Sequence, residues 1–313
     1  MNASDFKLPL ACEGSVVSYF LSMCNHESDI LLRHLANLQA NKQNRKVRAP
    51  IFVIGCPRSG TSILGKCLSS HTRISGGHES LFLLEMSRIF YGLHQGVNRR
   101  AWRPLNDFTN EADLLNNIRE FSENIFSMTL ENDDCRYLDH TPWYVGLMMF
   151  INSIYDDSVF VHIIRDGRDV VNSLSKAYDE GFPWAGRNIA ERASLWQSLV
   201  KLGTECGKSF EPNRYLEIRY EDLCSQPIQS LRKLADGLQL EWEDNLLLPL
   251  AVPTANPSRS DATIAFYDNN DDFKISPKIV GNVWPKEWSQ KDRSSFSEVA
   301  ISTLVGLGYY PGS

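Results

Sequence analysis

The strongest constraint on the fold is a series of short apolar segments that alternate with helical patterns. The segment IFVIG at 51–55 is continuous and β-branched, as expected of a strand buried on both faces of a parallel sheet. Further short segments predict four more strands, at 72–76, 136–139, 159–164 and 215–219, of which 159–164 has a strong pattern and 136–139 a weaker one. Helical patterns lie between or after them, at 111–130, 143–154, 168–178, 187–208 and 228–238. The alternation predicts an α/β fold, a parallel sheet flanked by helices on both faces.

Composition limits the domain organisation and the compartment. The 313 residues are 42% apolar and 22% charged, which is typical of a globular protein. We predict an N-terminal helical extension over 1–48 and a single globular domain over 49–313. Seven scattered cysteines without a CxxC pair favour neither a disulfide scaffold nor a zinc site, so a cytoplasmic location is expected. The most apolar stretch, 142–155, is shorter than the roughly 20 residues of a membrane span, so none is predicted.

The first strand leads into a glycine-bearing loop that fits an anion. Gly55 to Ser62 read GCPRSGTS, the spacing of a phosphate-binding loop with Thr61 where nucleotide triphosphatases carry lysine. Such a loop presents backbone N–H groups and the positive end of a helix dipole, and here Arg58 adds a cation. The alternative is a tight strand-to-helix turn with capping hydroxyls. Because the net charge is −6, general affinity for nucleic acid is not expected, and an anion must be held by a local cluster.

A second anion motif follows the strongest predicted strand, VFVHII. Arg165 comes directly after it, in the place where a magnesium-binding triphosphatase carries a carboxylate. An arginine there suits bidentate contact with a phosphate, and Ser173 in the following helix adds a hydroxyl. A capped helix with exposed charges explains these two residues equally well.

The two motifs together, followed by IRYEDL at 218–223, resemble the sulfotransferases that use 3′-phosphoadenosine-5′-phosphosulfate (PAPS). The resemblance covers roughly 50–290 and implies the P-loop nucleotide-binding fold of that family, with 3′-phosphoadenosine-5′-phosphate (PAP) as the product and no metal. It implies that a first group of residues holds the 5′-phosphosulfate, namely Arg58, Ser59, Gly60, Thr61 and Ser62. It also implies that Arg165 and Ser173 hold the 3′-phosphate, and that Tyr220 contacts the adenosine end.

Glu79 and His140 are the candidate catalytic residues beside Arg58. Glu79 lies 21 positions after Arg58, the spacing at which sulfotransferases acting on protein tyrosine carry a catalytic glutamate. Without the loop, a helix-capping role for Glu79 is the simpler interpretation. Many relatives have lysine in a K-x-P motif where this chain has Asp-His-Thr-Pro, so protonated His140 can replace that cation. A buried histidine bonded to a backbone carbonyl is the alternative.

The acceptor half of the site is less clear in the sequence. Glycine, arginine and tryptophan in 92–108 suggest either a lid over the site or an ordinary helical insertion. Three residues in 274–288 are further candidate contacts to the 3′-phosphate or adenine, Lys274, Ser276 and Lys278. The chain also resembles sulfotransferase domains of cyanobacterial polyketide and olefin synthases, which implies a β-hydroxyacyl chain on an acyl carrier protein as acceptor. Another alcohol acceptor, a phosphate-loop kinase or triphosphatase, and a non-catalytic nucleotide-binding module remain alternatives.

Overall fold

The computed structural model of the chain describes residues 45–94, 107–251, 264–267, 273–276 and 283–309. These belong to a compact unit that begins at Arg45. The helical extension predicted for 1–48 lies outside the described residues except for 45–48, and most of the segment 92–108 lies outside them as well. Within the described part of the chain, no helix combines the length and the apolar character that crossing a membrane requires.

Strands and helices alternate along the described chain. The strands are β1 (Ile51–Gly55), β2 (Ile74–His78), β3 (Arg136–Asp139), β4 (Val159–Ile164), β5 (Tyr215–Arg219), β6 (Ile264–Tyr267) and β7 (Phe273–Ser276). The α-helices are α1 (Thr61–Ser69), α2 (Phe82–Ile89), α3 (Glu111–Phe126), α4 (Met148–Ile154), α5 (Gly167–Asp179), α6 (Ile189–Gly207), α7 (Tyr220–Ser225), α8 (Pro227–Gly237), α9 (Leu248–Ala251) and α10 (Gln290–Gly306). Short 3-10 helices span Ser127–Thr129, Pro142–Gly146, Pro183–Ala185 and Asp244–Leu247, and a π-helical turn spans Phe90–His94.

The first five strands form one parallel sheet in the order β2-β3-β1-β4-β5, and β6 pairs with β7 antiparallel. This confirms the predicted parallel α/β fold. Strand β2 begins two residues later than predicted, because His71 extends the turn that follows α1. Its ring Nδ1 accepts a hydrogen bond from the N–H of Arg73, and its carbonyl accepts one from the N–H of Ile74.

The central strand is completely buried and divides the core into two layers. Ile51 and Val53 on one face pack into a cluster with side chains of α1, α7 and α8. Phe52 and Ile54 on the other face pack with aromatic and aliphatic side chains of α3 and α4. Alternate side chains of a strand point to opposite faces, so a continuous apolar run is what a two-sided sheet requires. The loops after the carboxyl ends of the strands therefore share one edge of a rigid sheet.

We expect two helical glycines to respond oppositely to alanine. A Cβ on Gly203 of α6 would lie 2.5 Å from the ring of buried His162, so Gly203→Ala should lower the free energy of unfolding by about 1–3 kcal/mol through overpacking. A Cβ on Gly306 of α10 meets nothing within 4 Å, so Gly306→Ala should raise it by up to about 1 kcal/mol. Urea denaturation measures both, and equal effects would contradict the described packing around α6.

Candidate active site

The loops at the carboxyl edge of the sheet bring together the charged residues singled out in the sequence. Arg58 follows β1, Glu79 follows β2, His140 follows β3 and Arg165 follows β4. Parallel strands end at the same edge, so four neighbouring strands each contribute one side chain to a common region.

The loop after β1 has the conformation of an anion cradle. Arg58 and Gly60 both have positive φ angles, 74° and 103°, and α1 begins at the next residue, Thr61. Glycine is required at position 60 because a Cβ there would lie 2.5 Å from the Tyr220 ring. The first turn of α1 directs unpaired N–H groups and the positive end of the helix dipole toward this loop. The Ser59 hydroxyl is buried and has no hydrogen-bond partner among the described residues.

The second anion motif lies against the first. The Nη1 of Arg165 donates to the carbonyl of Arg58 at 3.3 Å, and the Nε of Arg58 donates to the Ser173 hydroxyl at 2.9 Å. The Arg165 guanidinium lies over the Tyr220 ring, with Cζ 4.3 Å from the ring centroid. The structure thus brings these residues into one cluster with the loop after β1, and two guanidinium groups give that cluster its positive charge.

Buried groups behind Arg165 hold it in place, and the sequence analysis did not identify them. Its Nη2 lies 3.9 Å from a carboxylate oxygen of Asp169, and its backbone carbonyl accepts a hydrogen bond from the Trp196 indole at 3.2 Å. Burial raises the pKa of Asp169 to about 7, although the positive charge of Arg165 acts in the opposite direction. Burial also raises the pKa of Glu221, which accepts a hydrogen bond from the N–H of Asp166. The second aspartate of RDGRD at 165–169 was the sequence signal that could have revealed Asp169.

Glu79 stands opposite the loop. Strand β2 has a register shift between Gly76 and His78, and the exposed Glu79 follows it. Its Oε1 accepts a hydrogen bond from the Ser62 hydroxyl at 3.3 Å and lies 3.6 Å from Nδ1 of His140. The structure thus brings Ser62, Glu79 and His140 together at the start of α1, beside the anion cradle.

His140 is buried against α1, and the neighbouring Glu79 carboxylate affects its pKa. Burial by itself lowers the pKa of this imidazole, but the Glu79 carboxylate 3.6 Å from Nδ1 and the nearby charge of Asp139 act in the opposite direction, and the pKa lies above its ordinary value. The ring fits only because residue 65 in α1 is glycine, since a Cβ there would lie 2.4 Å from the imidazole Cδ2. The His140 side chain is 10% exposed, whereas that of Glu79 is 42% exposed, so Glu79 is the more accessible partner.

Asp139 organises the loop that carries His140, which the sequence analysis missed. This fully buried carboxylate accepts hydrogen bonds from the N–H and hydroxyl of Thr141, at 2.8 and 2.7 Å, and from the hydroxyls of Ser80 and Tyr137. Burial raises its pKa, although those hydrogen bonds act in the opposite direction. The network ties the residue after Glu79 to the residue before His140. A polar residue at the end of a buried strand was the signal that could have revealed it.

The donor groups of the site fit a ligand with separate anionic groups. Two arginines, the Ser173 hydroxyl and the first N–H groups of α1 lie together, and the buried Ser59 hydroxyl needs a partner. This chemistry suits the phosphosulfate and phosphate ends of PAPS. Within the described ranges, no three His, Cys, Asp or Glu side chains are grouped to hold a metal ion.

The remaining candidate contacts cannot be placed from the described residues. The backbones of Lys274 and Ser276 belong to β7, and their side chains are outside the description. Lys278 also lies outside it, as does the proposed lid apart from 92–94 and 107–108. These residues stay predictions.

Comparison with known proteins decides the family. Residues 50–244, more than half of the chain, match the group described as "Sulfotransferase family". The chain belongs to the sulfotransferase family. The match contains the loop after β1, Glu79, His140, Arg165 and Tyr220.

Individual relatives are distant. The protein-tyrosine sulfotransferase A of Caenorhabditis elegans is 20% identical over 225 residues, 71% of this chain and 58% of the nematode protein. The protein-tyrosine sulfotransferase 2 of Gallus gallus is 22% identical over 206 residues, 63% of this chain and 53% of the chicken protein. This chain therefore spans little more than half the length of either relative.

A solved structure supports the fold assignment. The sulfotransferase domain from the curacin biosynthetic pathway superposes with a TM-score of 0.51 at 18% identity, covering 85% of this chain and 99% of that domain. At this identity the similarity concerns the fold alone.

We expect the His140 imidazole to titrate above its ordinary pKa of about 6.5 in the wild-type protein. Glu79→Gln should lower that pKa, because the favourable charge is lost while burial remains. NMR titration of the ring protons measures the change, and His162 is the internal control. Burial and the charge of Arg219 lower the pKa of His162 to about 3. His162 should therefore stay neutral from pH 5 to pH 8 in both proteins, because this range begins about two units above its pKa. An unchanged His140 titration in Glu79→Gln would contradict the proposed coupling.

Proposed function

We propose that this protein transfers the sulfuryl group of PAPS to an acceptor hydroxyl. The single observation that carries the proposal is the convergence of Arg58, Ser173 and Arg165 beside Glu79 in a member of the sulfotransferase family. Bound PAPS supplies an activated sulfuryl group on its 5′-phosphate. The remaining steps depend on residues of this chain.

The positive cluster binds the donor and stabilises the leaving group. Arg58, Ser59, Gly60, Thr61 and Ser62 hold the 5′-phosphosulfate, since this loop leads directly into the first N–H groups of α1 and carries a guanidinium group. Arg165 and Ser173 hold the 3′-phosphate, with Tyr220 at the adenosine end. Negative charge grows on the departing phosphate as the bond breaks, and fixed cations and N–H groups are effective at stabilising such charge.

Glu79 accepts the proton of the acceptor hydroxyl. The acceptor oxygen forms a bond to sulfur, the bond between sulfur and the 5′-phosphate oxygen breaks, and PAP leaves with that electron pair. Glu79 is suited to the proton transfer because it is exposed and next to the loop at Ser62. General-base catalysis by a positioned carboxylate contributes about 10²–10⁴ in rate.

His140 supplies a positive charge near Glu79, in addition to the two arginines of the donor cluster. The raised pKa favours the imidazolium form, in the place where many relatives carry lysine. An imidazolium donates to a sulfuryl oxygen or to the bridging oxygen. Its position 3.6 Å from Glu79 also orients the carboxylate toward the loop.

The acceptor we propose is the β-hydroxyl of an acyl chain on an acyl carrier protein. Support comes from the resemblance to sulfotransferase domains of cyanobacterial polyketide and olefin synthases, which includes the histidine at position 140. A peptide tyrosine is the second candidate, since the curated relatives that match this chain include protein-tyrosine sulfotransferases. A kinase or triphosphatase is disfavoured because Thr61 replaces the loop lysine and Arg165 the carboxylate.

We expect donor binding and catalysis to separate by mutation. Arg165→Ala should weaken PAP binding about 10- to 100-fold, because a charge-assisted hydrogen bond is lost, and a chelator should have no effect on wild-type affinity. Glu79→Gln should leave PAP affinity within about twofold while lowering the transfer rate about 10²–10⁴-fold. Calorimetry and release of PAP measure the two quantities.

Matched controls are the exposed pair Glu85 and Arg88 of α2, which form an ion pair on the helix surface. Glu85→Gln and Arg88→Ala should resemble the wild type in both assays. Full transfer activity in Glu79→Gln would refute the role of that carboxylate, and magnesium-dependent binding of a triphosphate would favour the kinase class.

We expect a β-hydroxyacyl carrier protein to be sulfated with a kcat/KM at least about tenfold above that of a tyrosine peptide or of a free alcohol of equal chain length, about 1.4 kcal/mol of preferential transition-state binding. Mass spectrometry of the carrier protein, which gains one sulfuryl group, provides the measurement. The same acyl chain lacking the β-hydroxyl is the control substrate. Equal or faster sulfation of the peptide would overturn the carrier-protein assignment and leave sulfuryl transfer itself intact.

A further inference from the structure

An exposed aromatic patch lies beside the loop that carries His140. The ring of Trp143 contacts that of Trp184 edge to face at 5.5 Å, and Trp184 lies 6.0 Å from Phe182 between ring centroids. Phe182 and Trp184 are 46% and 42% exposed, although large aromatic side chains stabilise a fold most when they are buried. A cluster of exposed apolar side chains typically marks a binding surface.

The patch is close to the candidate catalytic groups. Trp143 follows His140 by three residues on the 3-10 helix Pro142–Gly146, so the two Cα atoms are at most about 11 Å apart. Trp184 lies on the turn between α5 and α6. Helix α5 carries Ser173, whose hydroxyl bonds Arg58, and it ends four residues before that turn's 3-10 helix. The patch therefore lies near the loop of His140, and the helix that carries Ser173 leads into the turn that holds the patch.

Helix α6 indicates on which side of the sheet the patch lies. Trp196 packs on Gly167 beyond the end of β4, while Gly203 packs on His162 in the middle of that strand. The helix therefore runs from the carboxyl edge toward the amino edge of the sheet. Its beginning, next to Trp184, projects beyond the carboxyl edge, where the active site lies.

The turn that holds the patch is firmly built. The N–H of Phe182 donates to Ala177, the N–H of Ala185 donates to Phe182, and Ala185 is completely buried. Arg192 donates to the carbonyl of Gly186 at 3.1 Å and closes the turn from α6. Because these hydrogen bonds hold the turn, the rings keep their exposed positions before a ligand arrives. Such preorganisation reduces the free-energy cost of ordering the site on binding.

The patch has no charge of its own. The segment 181–186 reads GFPWAG and the segment 141–149 reads TPWYVGLMM, and neither contains a charged residue. An anionic group would find no partner on the faces of these rings, whereas a hydrocarbon chain would lose water on contact with them.

We propose that Trp143, Phe182 and Trp184 form the apolar wall of the acceptor site, and that the acceptor carries an uncharged hydrocarbon chain next to its reactive hydroxyl. This inference rests on the proposed sulfuryl transfer and narrows its substrate class. The wall holds the chain while Glu79 receives the hydroxyl proton. The three rings act as specificity-determining residues.

A series of straight-chain primary alcohols tests the wall without knowledge of the natural acceptor. With PAPS saturating, wild-type kcat/KM should rise from ethanol to octanol by up to about fourfold per methylene, the effect of burying each CH₂ group. Trp184→Ala and Phe182→Ala should flatten this slope, with little change for ethanol and an unchanged affinity for PAP. Trp184→Phe should keep most of the slope, because an aromatic face remains.

Val305→Ala is the matched control. Val305 is 49% exposed near the end of α10, close to Trp184 in exposure, and belongs to neither of the two segments that carry the patch. This variant should keep the wild-type slope. A second control acceptor is glycerol, whose polar chain should react equally well with wild type and Trp184→Ala.

The outcomes separate the two levels of the proposal. Absence of sulfated product from every alcohol with the wild-type protein would refute the transfer reaction. Product formation with a slope that Trp184→Ala leaves unchanged would refute the wall and retain the transfer. Loss of PAP affinity in Trp184→Ala, or equal loss with all alcohols and glycerol, would assign the rings to structure or to a protein interface and would also refute the wall.

Discussion

Two hydrogen bonds join the loop after β1 to the segment after β4, and the site is built around them. Arg58 donates its Nε to Ser173, and Arg165 donates Nη1 to the carbonyl of Arg58. Two guanidinium groups repel one another, so each needs a fixed position and a compensating neighbour. The Tyr220 ring and the Asp169 carboxylate provide this for Arg165. The result is a concentrated positive region in a chain whose net charge is −6.

The two halves of the site differ in burial, and this difference suits their chemistry. Arg165 and Ser173 are buried, so their interaction with an anion is weakly screened by solvent. Glu79 is exposed and can meet a substrate that arrives from solution. His140 lies between these extremes, buried yet paired with a carboxylate, and the balance of the two effects sets its pKa. The sheet fixes all of them, because their loops follow adjacent strands.

The sequence predicts the fold closely where the local pattern is decisive. Strands β1, β3, β4 and β5 have the predicted bounds, and β1 and β4 are the nearly continuous apolar runs that a strand buried on both faces requires. Strand β2 begins later than predicted because hydrogen bonds of His71 extend the turn before it. The spacing of apolar residues in the sequence does not reveal such hydrogen bonds. The meeting of parallel strand ends at one edge predicts that Glu79 approaches the loop. The hydrogen bond between Ser80 and Asp139 and the ring contact between Trp143 and Trp184 join segments far apart in the chain, which local patterns do not reveal.

The absence of a side chain at position 65 has a consequence for variation among proteins of this kind. The imidazole of His140 occupies the volume that a methyl group on residue 65 would fill, although 75 positions separate the two. Neither position can change freely while the other stays the same. In a homologue with alanine at position 65, the residue at position 140 must be smaller or lie elsewhere. Residue 65 of α1 and residue 140 of the loop after β3 together therefore determine which cation can lie beside the Glu79 carboxylate. Redesign of that cation begins with the helix.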